Sequence, residues 1–346
     1  MEASLIIGDT LNLEQLVDLQ GKCSFAQKKA ISHELSKRIT LHLEDSDIYN
    51  HYDNFQQRRE IKKSVETLHL NGFIELGSRF NERQILETNG YFSQLPCYNA
   101  HLITKSDLVP RKLNADASNF PFGSFSMKDV IDAPNILELA NAPEMLALAS
   151  DYLGCLPTLY SLNAWWSFPG HEAEEKMTQG FHRDEDDFKN CVLFLYLTDT
   201  DEESGTHEYI RGTHRQDLTG ELLENTSFPF INIGTNDSPQ WVKVEFGDLF
   251  EGACYGGDLI YERIFGEQIS PINGKAGDAF ISDPSGLHRA KPPKTSPRLI
   301  VWIRYGYYEN KAYQADGIIP VDFDWSLGRI PDSKLHRYIN RLIVRA

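Results

Sequence analysis

The chain has 346 residues, of which 41% are hydrophobic and 24% charged, the composition of a soluble globular protein that can bury a full core. Its formal net charge of −16 excludes nucleic acid as a default partner, because nucleic-acid binders need a basic surface that replaces the counterions of the phosphates. The sequence has no apolar run near the ~20 residues of a membrane span, and its start lacks the basic residues of a secretory signal. Five scattered cysteines without a Cys-x-x-Cys pair favour reduced thiols, so we expect a cytoplasmic protein with neither nucleic-acid nor membrane partners.

The first part of the chain predicts helices. Residues 26–45 carry apolar side chains at helical spacing, at positions 31, 35, 39 and 43. Further on, a helix, an Asn71-Gly72 turn, a short strand at Phe73–Leu76 and a second helix follow one another. We therefore expect a helical N-terminal extension over residues 1–60.

From about Thr158 the pattern changes to β-strands. Six segments are rich in β-branched and aromatic residues: 158–168, 190–199, 206–212, 258–264, 278–283 and 298–308. Their spacing is too tight for βαβ crossovers, which predicts an antiparallel sandwich or barrel over residues 61–310. Residues 216–257 form a weakly patterned insertion of the kind that builds lids and binding loops. Residues 311–346 are expected to form a helical tail whose last helix is capped by Asp332.

Metal ligands are the first functional residues to look for. A histidine and a carboxylate two positions apart on a strand project from the same face and can bind one metal. The pairs His42/Glu44, His51/Asp53 and His182/Asp184 match, but 50 acidic residues produce such pairs by chance. Only the third pair leads directly into a strong strand, whereas the first two are typical of a solvated surface.

A second imidazole and a buried cation complete the pattern. His288 follows a Pro-Ser-Gly turn and is the best remaining ligand for a 2-His-1-carboxylate triad. Arg298 begins the longest β run, in which Arg298, Ile300, Trp302 and Arg304 share one face. A guanidinium inside a barrel is costly without an anion, and its planar fork matches a carboxylate.

Together these motifs resemble the phytanoyl-CoA dioxygenase (PhyH) superfamily of Fe(II)/2-oxoglutarate-dependent oxygenases. The segment Asp199–His214 reproduces the layout of the block that follows the family's His-x-Asp, with Gly205 at the turn and Gly212-Thr213-His214 in place of Gly-Ser-His. The resemblance covers roughly residues 60–310. It implies a mainly β fold with flanking helices and a double-stranded β-helix (jelly roll) core.

The resemblance also implies a chemistry. Iron would be held by His182, Asp184 and His288, while Arg298 would clamp the distal carboxylate of the cosubstrate 2-oxoglutarate. The protein would then be an oxidoreductase, a dioxygenase that hydroxylates a C–H bond with O2 and converts 2-oxoglutarate to succinate and CO2. Because halogenases of this class lack the carboxylate that Asp184 supplies, hydroxylation is favoured over halogenation.

Weaker candidates follow from their positions. We expect Asn163 to contact 2-oxoglutarate, with a hydrogen-bonded core amide as its alternative. Thr206 is a second candidate for this contact, with Thr213 as its alternative. Gln179 and Arg183 flank the metal loop and are candidates for substrate contact. Trp165 is a further candidate, with core packing as its alternative. Arg304 completes this group, with an ion pair to a carboxylate as its alternative.

Two other functions stay open. A cupin-like metal enzyme independent of 2-oxoglutarate would keep the metal ligands but would need no arginine at the cosubstrate end. A non-catalytic binding protein could use the same fold. The insertion at 216–257 has seven acidic residues and a single lysine, Lys243, which disfavours an acyl-CoA substrate. A small polar metabolite or biosynthetic intermediate is the expected substrate, and the sequence does not indicate the oligomeric state.

Overall fold

The computed structural model describes residues 25–44, 58–99, 121–170, 178–184, 186–215, 258–307 and 320–345, with short pieces at 19, 22–23, 48, 111–112, 230–232 and 238–243. His51, Asp53 and most of the 216–257 insertion lie outside the described residues. No helix among those that are described is long and apolar enough to cross a membrane.

The helices pack mainly on one side of a large β-sheet. They are α1 (Phe25–Glu44), α2 (Arg58–Asn71), α3 (Glu82–Gln94), α4 (Met127–Asp132), α5 (Ile136–Ala140), α6 (Pro143–Leu153), α7 (Asp258–Phe265) and α8 (Lys334–Asn340). The helix predicted at 26–45 is confirmed as α1, whose Ile31 and Leu35 are buried in the main apolar cluster. The predicted succession of helix, turn, strand and helix is also confirmed, and the turn at Gly72 has a positive φ of 85°.

The strands form one large and one small antiparallel sheet. They are β1 (Phe73–Ser78), β2 (Pro96–Asn99), β3 (Arg111–Lys112), β4 (Phe122–Ser124), β5 (Thr158–Ser167), β6 (Cys191–Tyr196), β7 (His207–Ile210), β8 (Phe230–Asn232), β9 (Trp241–Lys243), β10 (Ile269–Ile272), β11 (Asp278–Ser282), β12 (His288–Ala290), β13 (Arg298–Gly306), β14 (Val321–Asp322) and β15 (Val344–Arg345). Within the described residues the large sheet has the order β1-β11-β6-β13-β5-β4-β2-β3, and the small sheet the order β10-β7-β12.

The two sheets enclose an inner layer of side chains. An apolar cluster between them joins Phe194 of β6, Tyr209 of β7, Phe280 of β11 and Ile300 of β13. The small sheet is extended by His182, which forms an antiparallel bridge to His288 at the start of β12. The protein thus has the mainly β fold with flanking helices and the jelly-roll core that the family resemblance implied.

Strand alternation determines which side chains face the interior. On β13, Leu299, Val301 and Ile303 pack against the helices, whereas Arg298, Ile300, Trp302 and Arg304 line a cavity between the sheets. β5 pairs with β13 in a register that sets Ser167 opposite Arg298 and Trp165 opposite Ile300. The face predicted for the four β13 residues is therefore confirmed.

Three local predictions are wrong. Residues 258–264 were expected to form a strand but belong to helix α7, in which the buried Ile260, Tyr261 and Phe265 share one helical face. Helix α8 is capped by Ser333, whose side chain accepts a hydrogen bond from the His336 amide. The C-terminal tail is not purely helical, because β14 and β15 pair as a parallel two-stranded sheet. The domain boundaries near residues 60 and 310 stay predictions.

Replacing Gly205 by alanine is expected to destabilise the protein. Gly205 has a φ of +86°, which side chains rarely adopt, and an added Cβ would lie 2.9 Å from the backbone nitrogen of Pro293. The free energy of unfolding should fall by more than about 1 kcal/mol, measured by urea denaturation. Gly90→Ala is the matched control, because a Cβ on this α3 glycine meets no atom within 4 Å. Equal effects of the two substitutions on the free energy of unfolding would contradict the requirement for glycine at position 205.

Candidate metal centre

Three potential metal ligands meet at one end of the inner layer. His182, Asp184 and His288 each offer one ligand atom, and these atoms lie within 4.8 Å of one another. The backbones of His182 and His288 exchange two hydrogen bonds, of 2.9 and 3.0 Å. The amide of Asp184 donates to the carbonyl of Pro284 at 2.8 Å, in the turn that precedes His288. The loop that carries His182 and the turn that carries His288 are therefore joined directly.

Both imidazoles present the same nitrogen to the centre. Nδ1 of His182 lies 2.8 Å from the carbonyl oxygen of Gly180, and Nδ1 of His288 lies 2.9 Å from that of Gly286. Since a carbonyl oxygen can only accept, Nδ1 carries the proton and Nε2 keeps its lone pair. Burial lowers the pKa of His288 to about 4, so its ring is neutral at physiological pH. Backbone bonds of this kind orient histidine ligands in metal sites.

The third ligand is kept ionised by its neighbours. Burial alone raises the pKa of Asp184, but His288, His182 and Arg304 outweigh it and hold the pKa below its ordinary value. Nη2 of Arg304 lies 3.6 Å from Oδ2 of Asp184, and Nε lies 2.9 Å from Oδ2 of Asp186. Arg304 thus forms an ion pair with carboxylates, which was the alternative to a contact with substrate.

Replacing Arg304 by glutamine is expected to damage both the fold and the metal centre. The buried carboxylate of Asp186 would lose its cation, which typically costs about 3 kcal/mol or more in the free energy of unfolding. Chemical denaturation measures this loss, and metal titration measures the accompanying decrease in affinity. Arg304→Lys keeps the charge and should fall between the variant and the wild type. A glutamine variant as stable as the wild type would contradict the role of Arg304 as the stabilising partner of Asp186.

A small cavity extends from the three ligands to Arg298. Its volume is about 70 Å³. Arg298 is only 2% exposed, and it donates from Nη2 to Oγ of Ser167 at 3.2 Å, while its Nε has no hydrogen-bond partner. No carboxylate among the described residues pairs with it, and burial lowers its pKa to about 10. The cavity therefore carries an uncompensated positive charge.

Aromatic side chains form the remaining wall. Trp165 and Trp302 contact each other edge to face, with ring centroids 4.9 Å apart. Phe122 also contacts Trp165, with ring centroids 5.6 Å apart. Trp165, a predicted substrate contact, is thus placed at the cavity together with the metal ligands and Arg298.

The two other residues predicted to contact 2-oxoglutarate are hydrogen-bonded to the protein itself. Oδ1 of Asn163 accepts hydrogen bonds from Arg304 and Ser161. The hydroxyl of Thr206 lies within hydrogen-bonding distance of the carbonyl oxygens of His207 and Ile272. The cavity lining includes neither Asn163 nor Thr206, although it includes Arg304, the partner of Asn163.

The two residues that flank the metal loop are buried. Gln179 is 2% exposed and does not line the metal cavity. Arg183 donates to the carbonyl oxygens of Thr213 and Ser285, which fastens the His182 loop to the turn before His288. Arg183 also lines a second, larger cavity, so its contact with substrate stays a prediction.

Three residues that the sequence did not single out belong to the centre. Ser167 contacts Arg298, Asp186 pairs with Arg304, and His207 lines the cavity. Alternation along β5, which placed Asn163 and Trp165 on one face, also places Ser167 there. No local signal marks Asp186, because it stands in a run of acidic residues whose partners are set by the tertiary fold.

A second, larger cavity of about 550 Å³ also includes Asp184 in its lining. It lies between α1, the end of α6 and the metal loop, and its lining is rich in charged and polar side chains: Lys28, Lys29, His33, His69, Asp151, Arg183, Asp187, Lys189, His214, Arg215 and Asp283. Asp184 thus lines both a small cavity, which contains the two buried arginines Arg298 and Arg304, and a large polar cavity.

The family model of phytanoyl-CoA dioxygenase (PhyH) matches residues 99–298, more than half of the chain. No curated protein matches the sequence. Similar solved structures include the epimerase SnoN in complex with Fe3+, alpha ketoglutarate and nogalamycin RO, which is 14% identical, with 72% of this chain and 84% of that chain covered and a TM-score of 0.45. Another is EvdO2 from Micromonospora carbonacea var. aurantiaca complexed with 2-oxoglutarate, at 16% identity, with 70% and 89% covered and a TM-score of 0.42. These structural similarities are low, and the family assignment rests on the sequence match.

Proposed function

The chain belongs to the phytanoyl-CoA dioxygenase (PhyH) family, and on this premise we propose that it is an Fe(II)- and 2-oxoglutarate-dependent oxygenase. His182, Asp184 and His288 are the proposed iron ligands, and Arg298 is the proposed partner of the distal carboxylate of 2-oxoglutarate. When bound, iron supplies the activation of O2 that couples conversion of 2-oxoglutarate to succinate and CO2 with oxidation of a substrate C–H bond.

The uncompensated charge of Arg298 is the observation that carries this proposal. A buried guanidinium without a carboxylate is unfavourable unless a ligand supplies the anion. Arg298 lines the same cavity as all three proposed metal ligands. A dicarboxylate that binds the metal at one end and a guanidinium at the other fits this pairing, and a bidentate contact suits the arginine fork.

The residues around the centre have supporting roles. The carbonyls of Gly180 and Gly286 keep Nε2 of the two imidazoles available for the metal. Arg304 holds Asp184 as a carboxylate. The apolar wall of Trp165 and Trp302 excludes water from the side of the cavity opposite the small sheet, where stray water would compete with the reaction.

The substrate we propose is a small polar molecule, hydroxylated at a C–H bond. The large cavity supports this class, because its lining is polar and it includes Asp184. Its size is within the range of small-molecule sites. Its lining contains lysines, arginines and histidines together with carboxylates, which suits a substrate with several hydrogen-bonding groups better than a long apolar chain.

An isotope experiment tests the proposed reaction. The protein is incubated with Fe(II), 2-oxoglutarate, 18O2 and a panel of polar metabolites, and succinate and products are analysed by mass spectrometry. We expect succinate formation that requires both Fe(II) and O2, with one 18O atom in succinate and one in a hydroxylated product. Succinate release with an unlabelled, desaturated or rearranged product would contradict hydroxylation but keep the cosubstrate chemistry. No succinate under any condition would contradict both.

A further inference from the structure

His207 presents its side chain to the metal cavity. Strand β7 pairs with β12 and β10, so that His207 lies opposite Ala290 on one side and Ile272 on the other. Its neighbour Glu208 points to the outer face, where it forms an ion pair with Arg289. The His207 ring is nearly parallel to that of His288, with ring centroids 5.6 Å apart and an interplanar angle of 15°. His207 therefore lies directly beside a proposed metal ligand.

The protein leaves this imidazole with an unsatisfied polar atom. His207 is 4% exposed, and its Nε2 has no hydrogen-bond partner among the described residues. Its other neighbours are the rings of Phe194 and Phe280, at 5.0 and 5.1 Å. An aliphatic side chain would fill this apolar environment without leaving a buried polar group unpaired. A histidine here is accounted for by a ligand that accepts its hydrogen bond.

The same cavity contains the unsatisfied nitrogen of Arg298. Nε of Arg298 and Nε2 of His207 both lack partners in the part of the chain that the structure describes, whereas Nδ1 of each proposed histidine ligand is already bonded to a carbonyl. A neutral imidazole carries one N–H, and in one of its two tautomers this N–H is on Nε2. The free donors of the cavity thus point to a ligand rich in acceptor oxygens.

We propose that His207 is a further residue of the cosubstrate site and donates a hydrogen bond from Nε2 to a carboxylate oxygen of bound 2-oxoglutarate. This inference rests on the proposed function. Arg298 neutralises the charge of the distal carboxylate, and His207 adds a directional contact on the side of the small sheet. The residue acts on cosubstrate affinity and leaves the metal ligands unchanged.

Binding measurements on two variants test this assignment. The Fe(II)-loaded protein is titrated with 2-oxoglutarate under anaerobic conditions, using the visible absorption of the chelate to obtain Kd. His207→Leu, which suits the apolar surroundings but has no donor, is expected to weaken 2-oxoglutarate binding about 10-fold. His207→Gln places an amide N–H near the position of Nε2 and is expected to restore most of the affinity. Fe(II) affinity should be the same in all three proteins, and the melting temperature of the ligand-free protein should not fall in either variant.

Several results would overturn it. Equal 2-oxoglutarate affinity in the leucine variant and the wild type would show that His207 donates no hydrogen bond to 2-oxoglutarate. A glutamine variant as weak as the leucine variant, or a leucine variant with lower Fe(II) affinity or a lower melting temperature, would show a packing role instead. A wild-type protein that binds Fe(II) but not 2-oxoglutarate would overturn the proposed function itself, which separates the two failures.

Discussion

Replacing His182 by alanine is expected to abolish Fe(II) binding at the centre and, with it, all turnover. The variant keeps the backbone bridge between residues 182 and 288 but loses one of two imidazole ligands. Because loss of a residue that merely orients a ligand costs 10- to 100-fold in metal affinity, loss of the ligand itself should cost about 100-fold or more. Co(II) titration monitored by its visible absorption measures the affinity, and succinate formation measures turnover.

An exposed histidine provides the control for this substitution. His33 lies on α1, is solvent-exposed and is not one of the three proposed ligands, although it lines the large cavity. His33→Ala should bind metal as the wild type does. A His182→Ala variant that retains wild-type affinity would show that the metal, if any, binds elsewhere.

Replacing Arg298 by methionine is expected to weaken 2-oxoglutarate binding without lowering the stability of the ligand-free protein. Removing one member of a buried charge pair typically costs 2–5 kcal/mol in binding, so the affinity for 2-oxoglutarate should fall about 100-fold. Fe(II) binding should not change, since Arg298 is not a ligand. The free energy of unfolding of the ligand-free protein should stay the same or rise, because the substitution removes a buried charge that no described carboxylate compensates.

An exposed arginine provides the control for the Arg298→Met substitution. Arg211 is exposed and donates to the carbonyl of Glu267, so Arg211→Ala should not change 2-oxoglutarate affinity. Full activity of the Arg298→Met variant would contradict the cosubstrate site. It would favour the alternative of a metal jelly-roll enzyme that does not use 2-oxoglutarate.

The inner faces of the central strands could be predicted from the sequence. Period-two alternation correctly places Arg298 and Arg304 on one face of β13, and Trp165 on the cavity face of β5. The meeting of His182, Asp184 and His288 follows from the family resemblance, because a separation of about a hundred residues carries no geometric information by itself. These predictions succeeded where either a strict periodicity or a family motif applied.

Other features depend on contacts that a sequence pattern does not contain. The segment 258–264 has a short apolar pattern that suits a strand or a helix equally, and the helix forms because Ile260, Tyr261 and Phe265 pack on one side. The sequence leaves open which carboxylate pairs with Arg304, because its partner Asp186 is distant in sequence. The hydroxyl of Thr206 bonds to nearby carbonyls, a choice that depends on how β7 and β10 pair. Each of these outcomes is set by tertiary packing.

The most direct test of a shared iron and 2-oxoglutarate site is anaerobic spectroscopy of the wild-type protein. Fe(II) and 2-oxoglutarate are added together, and the visible region is scanned for the weak metal-to-ligand charge-transfer band of the chelate. The account predicts a saturable band that requires both components and is lost in the His182→Ala variant. A folded protein that binds Fe(II) but shows no band at any 2-oxoglutarate concentration would contradict it.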